Sequence, residues 1–209
     1  PKADTIYAIS PPPADWPVER VKSFLSEYNQ RMLKILTIHE AYPGHYVQLV
    51  YANRNPSMIR RVQGSGVYIE GWAVYTEQML LDQGYGGGDL ALRLMQLKFF
   101  LRAIANTILD HQMHCTGMTD DEALTFLTKE AFQAEGEARP KITRAKLSFT
   151  QLSTYFAGRE AHMQTRREVQ RELGKAFNLG RYHEAVLSTG SIPVRHLKEL
   201  VMARLREAR

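Results

Sequence analysis

The sequence predicts a mainly α-helical protein with few or no short strands, and three observations carry that prediction. Apolar residues recur in steps of three and four along most of the chain, which is the period of helices with one buried face. Residues that start and stop helices separate these stretches. Strand-like alternation is scarce, so that short strands are expected at most among residues 1–10 or 60–68. With 209 residues, 44% of them hydrophobic, the chain can bury a substantial core.

The first predicted helix follows a Pro-rich lead, residues 1–16. Asp15 and Pro17 supply its start signal, and an apolar stripe then runs in register as far as His39. The stripe consists of Val18, Val21, Leu25, Tyr28, Met32 and Ile35. An imidazole in register with a buried stripe points into the protein, where it needs a hydrogen-bond partner or a metal.

Further helices are predicted where the same period continues. They cover residues 66–82, 89–115, 120–134, 142–173, 181–188 and 192–207, with breaks at 53–56, 84–88 and 136–140. Cap signals mark three starts, at Thr119 with Glu122, at Asn178, and at Ser191 with Pro193. The Gly-rich break at 84–88 lacks the Lys-Ser/Thr ending of a phosphate loop, so we interpret it as a connector.

Composition narrows the function classes. The net charge is +5, but the late arginines are interleaved with glutamates, which favours solvated helix faces over a nucleic-acid surface. No stretch of about 18 apolar residues and no signal-peptide pattern is present, so no membrane span is predicted in this chain. The single cysteine, Cys115, excludes an intrachain disulfide and a multi-cysteine zinc cluster, and we interpret it as a bystander rather than a nucleophile.

The chemistry concentrates in the segment from His39 through Glu40 to Pro43, Gly44 and His45. In a standard zinc-binding helix two histidines stand four residues apart, and the Glu after the first one polarises water. Here the spacing is six, which turns the rings roughly 120° out of alignment on a regular helix. Because Pro43 has no N–H and Gly44 tolerates unusual backbone angles, we predict a bulge or kink that returns His45 to the side of His39.

A second acidic segment follows. Glu70 and Glu77 are seven residues apart on one helix face among aromatic residues, so at least one should be buried and need a cation. Glu70 comes 25 residues after His45, enough for the chain to return as an antiparallel neighbour. A role for Glu70 as metal ligand competes with an ion pair to Arg60 or Arg61. Glu77 is the less favoured ligand and is a candidate to orient a histidine.

Later residues extend the pattern in a fixed order. They are Glu70-Gly71-Trp72-Ala73, Asp110 with His114 and Gly117, Gln151 with Tyr155 and Gly158, and Tyr182-His183 with Gly190 and Pro193. Together with the histidine motif, this order resembles the bacterial domain-of-unknown-function 885 family from about residue 20 to 200. The resemblance implies a helical fold related to the gluzincins, the zinc peptidases with two His ligands and one Glu ligand. It also implies a longer N-terminus, so the chain is expected to be a C-terminal catalytic portion.

The resemblance implies that two segments of the chain contribute different parts of the site. Residues 17–115 are expected to supply the metal-site helices and residues 116–209 to complete a cleft. Three positions depart from the family pattern: a basic residue is common at Asn106, an aromatic at Met118 and an apolar residue at His162. These changes leave the metal motif intact and bear on substrate contacts. Many family members resemble exported or lipid-anchored proteins, so a periplasmic location is an expectation without a signal in the chain.

The predicted function is that of a zinc-dependent metallopeptidase. His39, His45 and Glu70 are expected to hold zinc, with Glu40 as the general base. Tyr155, which matches a family position, is expected to donate a hydrogen bond to the oxyanion.

His114 is a further catalytic candidate, because it lies four residues after Asp110 and so on the same helix face. It would grip the substrate or the oxyanion. Two alternatives stay open for this pair, a surface ion pair and a second metal site that includes His111.

Two other functions compete with peptide hydrolysis. The same zinc site could act on a non-peptide amide or ester, since activated water attacks either carbonyl. Alternatively, the chain is a non-catalytic helical binding domain with a relic metal site, although the presence of Glu40 argues against this. The expected partners are a short peptide or other small amide, and an N-terminal portion of the same protein.

Overall fold

In a computed structural model, which describes residues 5–207, the chain folds into α-helices with no strand among those residues. The helices are α1 Val18–Glu27, α2 Gln30–Glu40, α3 His45–Asn53, α4 Met58–Val62, α5 Gly66–Asp82, α6 Leu90–His111, α7 Asp120–Thr125, α8 Glu135–Leu147, α9 Thr154–Leu173, α10 Leu179–Ser188 and α11 Leu197–Glu207. Single π turns extend α6 and α7. The mainly α prediction is confirmed. Residues 5–10 and 60–68, where short strands were candidates, contain none, and residues 1–4 lie outside the described part. None of the helices described is long and apolar enough to span a bilayer.

The predicted single first helix is wrong, because the chain breaks before α2. Asn29 takes an extended backbone conformation and its side chain accepts hydrogen bonds from two backbone N–H groups of the next turn, which starts a new helix. Before the break, Val18 and Leu25 of the predicted stripe are largely exposed, whereas Met32 and Ile35 after it are fully buried. The buried stripe that leads to His39 therefore begins with α2.

The predicted break at 136–140 is also wrong, and the real break lies later. α8 runs through Pro140, whose missing N–H deprives the helix of one hydrogen bond, to the carbonyl of Gly136. The loop between α8 and α9 divides the predicted helix 142–173. Here the buried carboxylate of Asp110 accepts hydrogen bonds from the backbone N–H groups of Thr150 and Ser153 and from the Ser153 hydroxyl.

Helix α5 is the central element, and α9 packs directly along it. A Cβ added to Gly71 would lie 2.3 Å from the carbonyl carbon of Gly158, so the two backbones touch and neither position has room for a side chain. The aromatic residues of α5 pack with α9, α10 and α11 into the largest apolar cluster. A smaller cluster joins α2, α5 and α6. This packing fixes α5 between α9 and α2 and presents its carboxylates to the end of α2.

Candidate metal centre

The turn between α2 and α3 is where the histidine motif leaves helical geometry. α2 ends at Glu40, Gly44 is the N-cap of α3, and the Gly44 N–H donates to the Ile38 carbonyl at 3.0 Å. A Cβ on Gly44 would lie 1.8 Å from the carbonyl oxygen of His39, so only glycine fits. The predicted distortion at Pro43 and Gly44 is confirmed, and it takes the form of a full helix break.

This turn brings the three predicted metal ligands together. The ring centroids of His39 and His45 are 4.8 Å apart. Glu70 Oε2 lies 3.6 Å from Nε2 of His39 and 3.4 Å from Nε2 of His45. One ligand atom from each residue lies within 4.8 Å of the other two. Arg60, an alternative partner for Glu70, donates instead to the carbonyl of Thr189 at 3.1 Å.

These separations and donor types fit a zinc ion. Zinc bound by His and Glu lies about 2.0 to 2.2 Å from each ligand, so two ligands of a tetrahedral site stand about 3.3 to 3.6 Å apart. The two Glu70 contacts have that separation, which is longer than the 2.7 to 3.2 Å typical of N–H···O hydrogen bonds. Two imidazoles and one carboxylate also form a donor set of catalytic zinc sites, which keep a fourth position open.

Two buried side chains contact the Nδ1 atoms of the imidazoles and orient the rings. Nδ1 of His39 donates to Oε1 of Glu77 at 2.7 Å, and both residues are buried. Nδ1 of His45 faces Oε1 of the buried Gln48 at 3.4 Å. Because these partners occupy Nδ1, Nε2 of both rings faces Glu70. Glu77 thus stands in the orienting position that the sequence favoured for it.

Burial and charge act on the pKa values of this centre in opposite directions. Burial lowers the pKa of His39, but the contacts with Glu70 and Glu77 outweigh it and raise that pKa to about 10. Burial raises the pKa of Glu70, but the two imidazoles outweigh it and lower that pKa to about 2. For Glu77, burial is the largest influence and raises the pKa. Glu70 is therefore ionised at neutral pH, as metal binding requires, whereas His39 holds a proton that it must release to bind a metal.

Two of the predicted catalytic residues line one cleft next to His39, with a volume of about 410 Å³. Glu40 is exposed at the end of α2. Tyr155 is half-buried on α9, and its hydroxyl accepts hydrogen bonds from Arg144 at 3.2 Å and from Gln151 at 3.3 Å. The structure therefore places Glu40 and Tyr155 on the walls of the same cleft.

The third predicted catalytic residue, His114, is not among the described residues that line this cleft. Its Nε2 lies 2.9 Å from the carbonyl oxygen of Ala145 and 3.0 Å from that of Ser148, at the C-terminal end of α8. The ring satisfies carbonyls that a helix end leaves unpaired. It also lies 3.7 Å from Oδ1 of Asp110, so the four-residue spacing places the two side chains on one helix face. This position argues against the predicted substrate-gripping role.

Sequence reasoning missed a polar wall of the cleft formed by α6 and α8. Arg102 and Asn106 come from α6, while Glu137, Lys141 and Arg144 come from α8. Arg102 and Lys141 are each only 8% exposed. The spacing of three and four residues within each helix indicates a shared face. It does not reveal that the two faces meet.

Comparisons with known proteins agree with the family resemblance. A protein described as a candidate lipoprotein of unknown function from Shewanella oneidensis is 44% identical, with a TM-score of 0.88 over 96% of this chain and 37% of that one. A candidate lipoprotein from Colwellia psychrerythraea is 28% identical, with a TM-score of 0.81 over 85% of this chain and 31% of that one. The chain thus spans about a third of the length of these relatives, and no curated protein matches it. The family described as a bacterial protein of unknown function, DUF885, matches residues 2–201, and the chain belongs to that family.

Proposed function

We propose that this protein is a zinc metallopeptidase that hydrolyses short peptides. One observation carries the proposal: the ligand atoms of His39, His45 and Glu70 converge within 4.8 Å, and Glu40 follows the first ligand on the wall of a cleft. The donor set, with a carboxylate directly after a histidine ligand, is that of zinc peptidases. Because the family has no assigned activity, the proposal rests on the site itself.

The side chains of the cleft divide the reaction between them. A bound zinc ion would polarise the scissile carbonyl and lower the pKa of a water toward about 7. The Glu40 carboxylate accepts a proton from that water as the water oxygen bonds to the carbonyl carbon. Glu40 then passes the proton to the leaving nitrogen as the C–N bond breaks.

Tyr155 acts on the other end of the carbonyl. Its hydroxyl donates a hydrogen bond to the carbonyl oxygen as that oxygen gains negative charge. Arg144 and Gln151 donate to the same hydroxyl oxygen, which fixes its position and makes its proton a stronger donor.

The relatives bear on where this activity takes place. Both solved structures are of candidate lipoproteins, which supports a location outside the cytoplasm. Both relatives are also about three times longer than the matched segment, which supports a further portion of the protein that closes the cleft over a short peptide.

The experiment that tests the function combines metal content with hydrolysis. The purified full-length protein is expected to contain one zinc ion per chain and to cleave members of a short-peptide library, as followed by mass spectrometry. Glu40→Gln is expected to keep the zinc and to lose hydrolysis by at least about a hundredfold. Hydrolysis of non-peptide amides or esters, but not of peptides, would replace the peptidase with the alternative hydrolase. Wild-type protein that binds no zinc would refute both.

A further inference from the structure

The wall of the cleft formed by α6 and α8 carries more basic than acidic side chains, and the hydrolytic step accounts only for the contact of Arg144 with Tyr155. Arg102 donates to Glu137, and the Lys141 ammonium lies 3.9 Å from the same carboxylate oxygen. The third cation, Arg144, donates to two neutral side-chain oxygens and has no carboxylate partner within the part of the chain described. This wall therefore has three basic side chains and one carboxylate, which contacts two of them.

The same wall also has unfinished hydrogen bonding. Nη1 of Arg102 and Oδ1 of Asn106 are buried polar atoms without a protein partner among residues 5–207. A buried guanidinium N–H costs free energy when it has no acceptor, so pairing with a polar group of a ligand or with a water is favoured. The ligand would bring an acceptor to Arg102 and a donor to Asn106. A peptide offers both, as a carboxylate and a backbone N–H.

The electrostatics of Lys141 favour the binding of an anion at this wall. Burial, followed by the nearby Arg102, lowers the pKa of Lys141 to about 7. A carboxylate bound beside these residues would offset the repulsion between the cations and favour the charged ammonium.

We propose that this wall, formed by Arg102, Asn106, Lys141 and Arg144, binds the C-terminal carboxylate of the substrate, so that the enzyme cleaves peptides near their carboxyl ends. The inference rests on the proposed function, because it names the substrate class of the same cleft. Two arginines supply planar N–H pairs that match a carboxylate in geometry, and the ammonium adds charge.

Ring contacts set an upper limit on the distance between this wall and His39. The centroid of Phe99 lies 6.1 Å from that of the His39 ring and 5.4 Å from the guanidinium carbon of Arg102. The guanidinium is therefore no more than about 11.5 Å from His39. An extended peptide spans about 3.3 to 3.6 Å per residue. A carboxylate on this wall thus belongs to a residue only a few positions after the scissile bond, and the released fragment is short.

Peptide binding tests the proposal without relying on turnover. Full-length Glu40→Gln protein, loaded with zinc, is titrated in a calorimeter with N-acetyl-trialanine and with its C-terminal amide. The acid is expected to bind at least tenfold more tightly than the amide. Adding Arg144→Gln is expected to weaken the acid about tenfold more than it weakens the amide, because both peptides contact the Tyr155 hydroxyl that Arg144 positions. Arg139→Gln is the matched control, because Arg139 lies on α8 but pairs with Glu135 and is exposed.

A second variant and a third peptide sharpen the result. Lys141→Met removes a charge without touching the hydrogen bonds of Tyr155, and it is expected to weaken the acid as well. Equal affinity for acid and amide in the parent protein would overturn the proposal. An amide whose last residue is glutamate should bind as weakly as the plain amide. Binding as tight as that of the acid would assign the wall to a side-chain carboxylate and overturn the terminal assignment.

Zinc content, measured on each sample, separates this inference from the proposed function. Zinc-loaded protein without a preference for the acid would refute the carboxylate subsite but not the proposed hydrolase. Protein that takes up no zinc but still prefers the acid through Arg144 would support the carboxylate subsite and refute the proposed zinc hydrolase.

Discussion

Replacing Glu77 with Gln keeps the volume of a fully buried side chain and removes its negative charge. In the wild-type protein Glu77 accepts from Nδ1 of His39 at 2.7 Å, while Nε2 of the same ring faces Glu70. The carboxylate thus fixes the ring and makes Nε2 a better ligand. Loss of such a partner costs about tenfold to a hundredfold in metal affinity, which corresponds to about 1.4 to 2.7 kcal/mol. We expect the zinc dissociation constant of Glu77→Gln to rise by that factor.

Competition with a chromophoric chelator at fixed pH measures this constant. The matched control is Asp82→Asn, which makes the same chemical change on α5 at a carboxylate that is 39% exposed and pairs with Arg93. The control should leave zinc affinity within about twofold. An unchanged dissociation constant in Glu77→Gln would show that the negative charge of Glu77 does not strengthen His39 as a ligand. Complete loss of zinc from a folded variant would show that Glu77 is itself a ligand.

Three further predictions address packing, charge and catalysis. Gly71→Ala places a methyl group 2.3 Å from a backbone atom of Gly158. The free energy of unfolding, measured by urea denaturation, should therefore fall by about 1 to 3 kcal/mol. An unchanged denaturation midpoint would contradict the close packing of α5 and α9. The pKa of Lys141 is lowered from 10.5 to about 7, so its protonation opposes folding below pH 7 and this penalty fades as the pH rises toward 10.5. Lys141→Met should therefore stabilise the protein more at pH 6 than at pH 9.5, and an equal gain at both would refute the assignment. Tyr155→Phe should lower kcat about a hundredfold or more with zinc content unchanged, and wild-type kcat would exclude Tyr155 as the oxyanion donor.

The grouping of His39, His45 and Glu70 was predictable because most of its signal is local. The ligand types stand in the sequence, and Pro43 with Gly44 announces a distortion that a six-residue spacing requires. Local chemistry also fixed several helix starts. Thr119 and Glu122 form the capping box that their spacing predicts, and the side chain of Asn178 caps α10.

What the sequence did not reveal depends on contacts between distant segments. The break between α8 and α9 is held by Asp110, which lies about 40 residues earlier in the chain. The break at Asn29 was hidden because the apolar period continues across it. The four-residue spacing of Asp110 and His114 fixes a shared helix face, but the partner that this face meets, the end of α8, is set by tertiary packing.

The polar wall of the cleft was missed for the same reason. Its cations lie on two helices, and nothing within either helix shows that Arg102 approaches Lys141 and Arg144. Only tertiary contacts, such as the hydrogen bond from Arg102 on α6 to Glu137 on α8, bring these two charged faces into one surface.

Anomalous X-ray scattering at the zinc edge, measured on crystals of the zinc-loaded protein, tests the central claim most directly. We predict a single strong peak about 2.0 to 2.2 Å from Nε2 of His39, Nε2 of His45 and a carboxylate oxygen of Glu70. Zinc bound elsewhere, or no anomalous peak between these three side chains, would contradict the metal centre and the hydrolase built on it.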